Sequence, residues 1–209
     1  MSKALTHGKI MQALDWAYDK ALNGIPGVDT ADEMAANYLS GNGTLEEKVN
    51  SLIRWQNTKA GTSGFLSGLG GVVLMPVTIP ANITSVIYVQ VRMIAAIARM
   101  GGHDLHDDRV KTLVYTCLCG NAAKDVLKEI GIKVGTKLTE QAVKNISGAV
   151  ITKINQAVGF RLLTKFGQTG AINIGKAIPF VGGIVGATFD SVATNTIGNV
   201  ARDTFIEKK

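Results

Sequence analysis

The stretch GTSGFLSGLGGVVLMPVTIPANITSVIYVQVRMIAAIARM, residues 61–100, decides how the rest of the chain is read. Residues 60–91 carry no charged side chain. Pro76 and Pro80 lack a backbone N–H and disfavour helix at the residue before them, so a continuous helix across the stretch breaks there. The pattern predicts a glycine-rich apolar segment over Gly64–Leu74, an extended or kinked elbow over Met75–Pro80, and a helix over Ala81–Met100. Ile83, Val86, Ile87, Gln90, Ile94 and Ile97 recur at helical spacing, with Arg92 and Arg99 on another face near Ser85 and Tyr88. Gly101-Gly102 supplies the stop. A bilayer span needs roughly 20 predominantly apolar residues, and the uncharged length suffices. Asn82, Thr84, Ser85 and Gln90 are polar, however, and centring Arg92 in hydrocarbon is costly. The expectation is a buried hairpin of a helical domain, with insertion into lipid or contact with it as the alternative.

Working outward, 209 residues suffice for one domain with a sizeable core, and 46% hydrophobic residues with a positive mean hydropathy argue against disorder. The 24 glycines gather in apolar stretches rather than in linkers, which favours close helix–helix approach. Strand-like alternation is rare. The predicted class is all-α, a single helical domain over 1–209 built around the central apolar Gly/Pro-rich hairpin.

Start and stop signals divide the first sixty residues into helices. An apolar stripe of Leu5, Ile10, Ala13, Leu14, Ala17 and Ala21 predicts a helix over about Ala4–Leu22, ended by Asn23-Gly24 and Pro26-Gly27. Thr30 with Glu33 forms a capping-box pattern opening a short helix to Leu39. Thr44 with Glu47 repeats it and opens a helix through Trp55, with Val49, Leu52 and Ile53 inward. Beyond the hairpin, Asp107 or Asp108 caps a helix over Arg109–Leu118, and another follows over Ala122–Ile130. Residues 132–138 alternate weakly and are ambiguous. Thr139-Glu140 starts a helix to Val158, a further turn or two covers Gly159–Phe166, and Gly167–Gly175 reads as a loop.

The net charge of +6 falls mostly in the second half, and residues 124–176 carry nine Lys/Arg against three acids. Such a stretch attracts phosphate-bearing surfaces or is simply the solvated face of amphipathic helices. Interleaved aromatics and a recognisable module are both missing, so nucleic acid is not expected as a partner. Cys117 and Cys119 are too close in sequence to close a disulfide readily, and no His lies beside them to complete a zinc set. The N-terminus lacks the continuous apolar core of a signal peptide. These features point to a cytoplasmic protein, either free or peripheral at the inner face of the membrane.

A second distinctive segment, GKAIPFVGGIVGATFDSVATNTIGNVARDTFIEKK, closes the chain at residues 175–209. Residues 177–189 are uncharged, Pro179 stands near the start, and Gly182, Gly183 and Gly186 open a helix carrying Ile184, Val192, Ile197 and Val200 on its apolar side. Together the two segments resemble the EcsC family. The residues carrying the resemblance are Gly64-Phe65, Gly68, Gly70-Gly71, Pro76, Pro80, Arg92, Met93–Ala98, Gly101 and Asp104, then Pro179, Val181-Gly182-Gly183, Gly186, Asp190, Ala201 and Phe205. It covers about residues 60–206 and is weaker before them. His103 stands in the glycine–aspartate turn where the pattern leads one to expect an aromatic. The family is named for a protein encoded beside an ATP-driven membrane exporter. The resemblance therefore implies an all-α bacterial protein and a membrane transporter as a partner, without giving a reaction.

Arg92 and Asp190 are lone charges in otherwise apolar helices, and an unpaired buried charge is costly. They are expected either to meet as a buried pair that docks the two segments or to form the polar centre of an apolar pocket holding a lipid-like head group. Gly64, Phe65, Gly68, Pro76, Pro80, Pro179, Gly182 and Gly186 are the candidates for apolar or membrane contact. His103, Asp104, His106, Asp107 and Asp108 form a His/Asp cluster, in which His103, Asp104 and Asp107 are weak metal candidates and a capped, solvated turn is the simpler reading. No phosphate-binding glycine loop or nucleophile elbow occurs, so neither a cofactor nor a catalytic residue is expected. The leading expectation is a non-enzymatic protein that associates with an anionic lipid surface or binds a lipid-like ligand. A soluble interaction module serving a membrane transporter is the alternative, and a metal-dependent enzyme with a His/Asp site is third.

Overall fold

A long, mostly apolar helix has to be packed among others, and the one over residues 81–100 is. A computed structural model describes residues 5–60, 81–129, 140–174 and 182–206. Within them the chain runs α1 (His7–Asn23), α2 (Ala31–Leu39), α3 (Leu45–Ala60), α4 (Ala81–Met100), α5 (Asp108–Cys117), a 3-10 turn (Gly120–Ala122), α6 (Ala123–Glu129), α7 (Glu140–Lys144), α8 (Gly148–Ile174) and α9 (Gly182–Phe205). The architecture is all-α, and no strand occurs among the described residues.

The central element is α4. It packs against α1, α2, α3, α5 and α9, and α9 in turn packs on α3. The sequence led us to expect one inward stripe, yet Val91, Met93, Ala95, Ala96 and Ala98 are as buried as Ile87, Ile94 and Ile97. Residues 83–100 are long and apolar enough to cross a membrane by length and composition, but 83% of that window is buried inside the protein. The glycine-rich arm of the expected hairpin, with Gly64, Phe65, Gly68, Pro76 and Pro80, lies outside the described residues, as does Pro179.

The helix ends follow local chemistry. The Thr30 side chain accepts a hydrogen bond from the Glu33 N–H while Glu33 accepts from the Thr30 N–H at 2.8 Å, and Thr44 with Glu47 does the same. Asp107 caps α5 by accepting from the Arg109 N–H at 2.8 Å. At the end of α4 the N–H groups of His103 and Gly102 donate to the carbonyls of Ala98 and Arg99. Gly102 takes a φ of +86°, the left-handed geometry that this type of helix end requires.

Two boundaries differ from the sequence expectation. The helix expected from Thr139 to Val158 is broken after Lys144 and restarts at Gly148, where the Ser147 hydroxyl accepts from the Val150 N–H at 3.4 Å. The loop expected over Gly167–Gly175 is helical as far as Ile174. Glycines were read there as breakers, but Gly167 and Gly170 lie within α8.

Candidate functional site

The loop between α1 and α2 needs two glycines with positive φ, Gly24 at +88° and Gly27 at +79°, and is pinned by a bridge between Ile25 and Val28. This folds residues 27–29 back towards α4. Met34, Asn37 and Tyr38, at i, i+3 and i+4 of α2, face the same space, and Trp55 and Gln56 approach it from α3. Arg92 of α4 forms the floor. The result is a cavity of about 470 Å³, within the range common for small-ligand sites.

Arg92 is only 3% exposed. Its Nη1 donates to the Asp29 carbonyl at 2.9 Å, and the guanidinium lies 5.6 Å from the centre of the Tyr88 ring. Its Nε is buried and makes no hydrogen bond. Among the described residues no carboxylate lies within ion-pair distance of it. Burial pushes the guanidinium below its ordinary pKa, and the neighbouring Tyr88 and Asp29 oppose that shift. An arginine nevertheless stays charged in proteins. The cavity floor is therefore a buried cation whose Nε has no hydrogen-bond partner.

A second polar group is equally unsatisfied. Gln56 is 2% exposed, and its Nε2 faces the Met34 sulfur at 3.7 Å while its Oε1 is buried with no hydrogen-bond partner. At the mouth, Trp55 is 52% exposed and Tyr38 half-buried, and the Asn37 amide reaches the exposed Asp29 carboxylate at 3.4 Å. The arrangement can hold an anion against Arg92, with apolar and aromatic surface around it. Of these residues sequence reasoning singled out Arg92 alone. Gln56 did leave a signal, because it continues the inward stripe of Val49, Leu52 and Ile53 by one helical turn.

The other sequence candidates lie elsewhere. Asp190 belongs to α9, but its side chain lies outside the described residues, as noted for the glycine-rich arm; Gly182 and Gly186 fall in the first turns of α9. Gln90, also on α4, donates to the Thr194 hydroxyl of α9 at 3.4 Å and joins the two elements. His103 is buried with its ring edge-on to Phe205 at 5.2 Å, an aromatic packing role in the turn where an aromatic was expected. Asp104 accepts from the His106 N–H at 2.9 Å, and Asp107 both caps α5 and meets Arg109 at 3.3 Å. Among the described residues no group of three His, Cys, Asp or Glu side chains is placed to hold a metal. Lys124, Lys128, Lys144, Lys153 and Lys165 of the basic stretch are exposed. Burial pushes the Cys117 thiol up to about 12 and the Cys119 thiol to about 11, so both stay protonated at neutral pH.

The sequence profile of the EcsC protein family matches residues 6–206. The match reaches well before residue 60, so the α1–α2 loop, α2 and α3, which supply the walls of the cavity, lie within it. No curated protein and no solved structure matches the chain.

Proposed function

The chain belongs to the EcsC protein family, and from that premise we propose that it binds a small anionic amphiphile in the cavity floored by Arg92. One observation carries this reading: a 3% exposed guanidinium lines a cavity with a single hydrogen bond and no carboxylate at ion-pair distance among the described residues. A buried charge left in that state is costly, and a ligand carboxylate or phosphate would offset the cost with charge-assisted hydrogen bonds. Met34, Tyr38 and Trp55 offer the apolar surface that the rest of such a ligand would cover.

Isothermal titration with octyl phosphate, set against octanol at matched concentration, tests this. Octyl phosphate is expected to bind and octanol to fail. Loss of Arg92 in Arg92→Met is expected to weaken binding by roughly tenfold to a hundredfold, the scale of a hydrogen bond to a charged group. Equal binding by the wild type and Arg92→Met would overturn the proposal.

A second reading, peripheral attachment to an anionic membrane, draws on the exposed lysines of α6, α7 and α8. It predicts sedimentation with anionic vesicles and not with neutral ones, lost at high salt because surface charges are screened. No sedimentation with either vesicle retires it.

A further inference from the structure

We infer that the ligand of the Arg92 cavity carries an N–H or O–H donor close to its anionic group, and that Gln56 is the residue that reads it. The inference rests on the cavity being an anion site.

Its basis is the orientation of one buried amide. An amide can be turned end for end, so the side that faces the cavity has to be argued from partners. A thioether sulfur accepts hydrogen bonds and cannot donate them. The Gln56 Nε2, 3.7 Å from the Met34 sulfur, is therefore on the correct side, and the reversed amide would set two acceptors against each other. That fixes Oε1 as the atom left without a partner, on a side chain that is 2% exposed and lines the cavity together with Arg92. Buried acceptors of this kind are rarely left unmet, and each is costly while it is. A fatty carboxylate engaged by the Arg92 N–H groups brings no donor of its own and leaves Oε1 unmet. A ligand offering both an anion and a donor satisfies both residues. Sites built around a hydrogen bond reject analogues that lack the matching group, so Gln56 would act as a specificity determinant rather than as added affinity.

Two matched pairs of probes separate the outcomes by calorimetric titration. N-octanoylglycine differs from O-octanoylglycolate by an amide N–H in place of an ester oxygen, and 3-hydroxyoctanoate differs from octanoate by one hydroxyl. The donor-bearing member of at least one pair is expected to bind roughly tenfold tighter to the wild type, a preference that needs no variant to observe. Gln56→Leu is expected to abolish that preference, and Gln56→Met serves if the leucine variant folds poorly. Equal binding within both pairs overturns the role of Gln56, as does a preference that survives in the variants. If all four probes fail while octyl phosphate binds, the inference falls and the anion site stands. If octyl phosphate fails as well, both fall together.

Discussion

Two polar residues beside the same core helix are buried to a similar degree and held in opposite ways. His103, just past the end of α4, is 6% exposed and Arg92, two turns inside it, is 3% exposed. Around His103 the space is filled: its ring meets Phe205 edge-on at 5.2 Å, its N–H closes the helix, and a Cβ on Gly101 would collide with the Phe205 carbonyl oxygen. Around Arg92 the space is open, and Gln56, whose Oε1 has no hydrogen-bond partner, lines the same cavity. Burial of a polar group therefore does not by itself mark a site. What separates the two regions is whether the surrounding atoms fill the space beside what they bury.

The comparison can be broken first at its closed end. Gly101→Ala sets a methyl group against backbone that cannot swing aside, and a loss of about 3 kcal/mol is expected in chemical denaturation. An unchanged midpoint would show that the α4–Phe205 seam is looser than described. Thr30→Ala, which removes the cap of the helix forming one cavity wall, should cost about 1 kcal/mol by the same measurement.

At the open end the sign reverses. Arg92→Met replaces an incompletely satisfied charge by an apolar chain, so stability should hold or rise by up to about 1 kcal/mol while anion binding weakens. A loss of several kcal/mol would instead reveal an ion partner, with Asp190 the first to examine, and the contrast with His103 would collapse.

The smallest expected effect concerns acid. The Thr30 N–H and hydroxyl, donating to the Glu33 carboxylate at 2.8 and 2.9 Å, hold its pKa below the ordinary range. A group whose folded pKa lies below its unfolded one stabilises the fold above the unfolded value and loses that contribution as pH falls through the folded value. The stabilities of the wild type and Glu33→Gln should therefore differ slightly at neutral pH and converge as pH falls past the ordinary glutamate range and through the lowered folded value. A difference that persists in acid would assign the effect to something other than the carboxylate.

Much of the fold was legible because the signals that carry it act over three or four residues. Thr30–Glu33, Thr44–Glu47 and the Gly101-Gly102 stop each specify a helix end through hydrogen bonds between near neighbours, and each forms as its residues imply. The loop read over Gly167–Gly175 misled for the opposite reason. A glycine raises the cost of a helix locally without forbidding it, and α8 runs through Gly167 and Gly170 to Ile174. The site was legible only in part. Arg92 was conspicuous as a charge in an apolar run, but its surroundings come from a loop, α2 and α3, and no local pattern indicates that Asp29 offers a carbonyl or that Gln56 faces the same space.

The position of α4 at the centre has a consequence for the order of events during synthesis. This helix is mostly apolar and mostly buried, and part of its cover comes from α9, the last helix described, whose Phe205 and Ala201 are fully buried. Translation delivers α1–α4 long before the residues that seal them. Until α9 arrives, the nascent chain presents one flank of its most apolar segment to the cytosol or to whatever binds such surfaces. Premature termination before Gly182 would therefore leave more than a shortened protein: it would leave a half-built core with its greasiest helix uncovered.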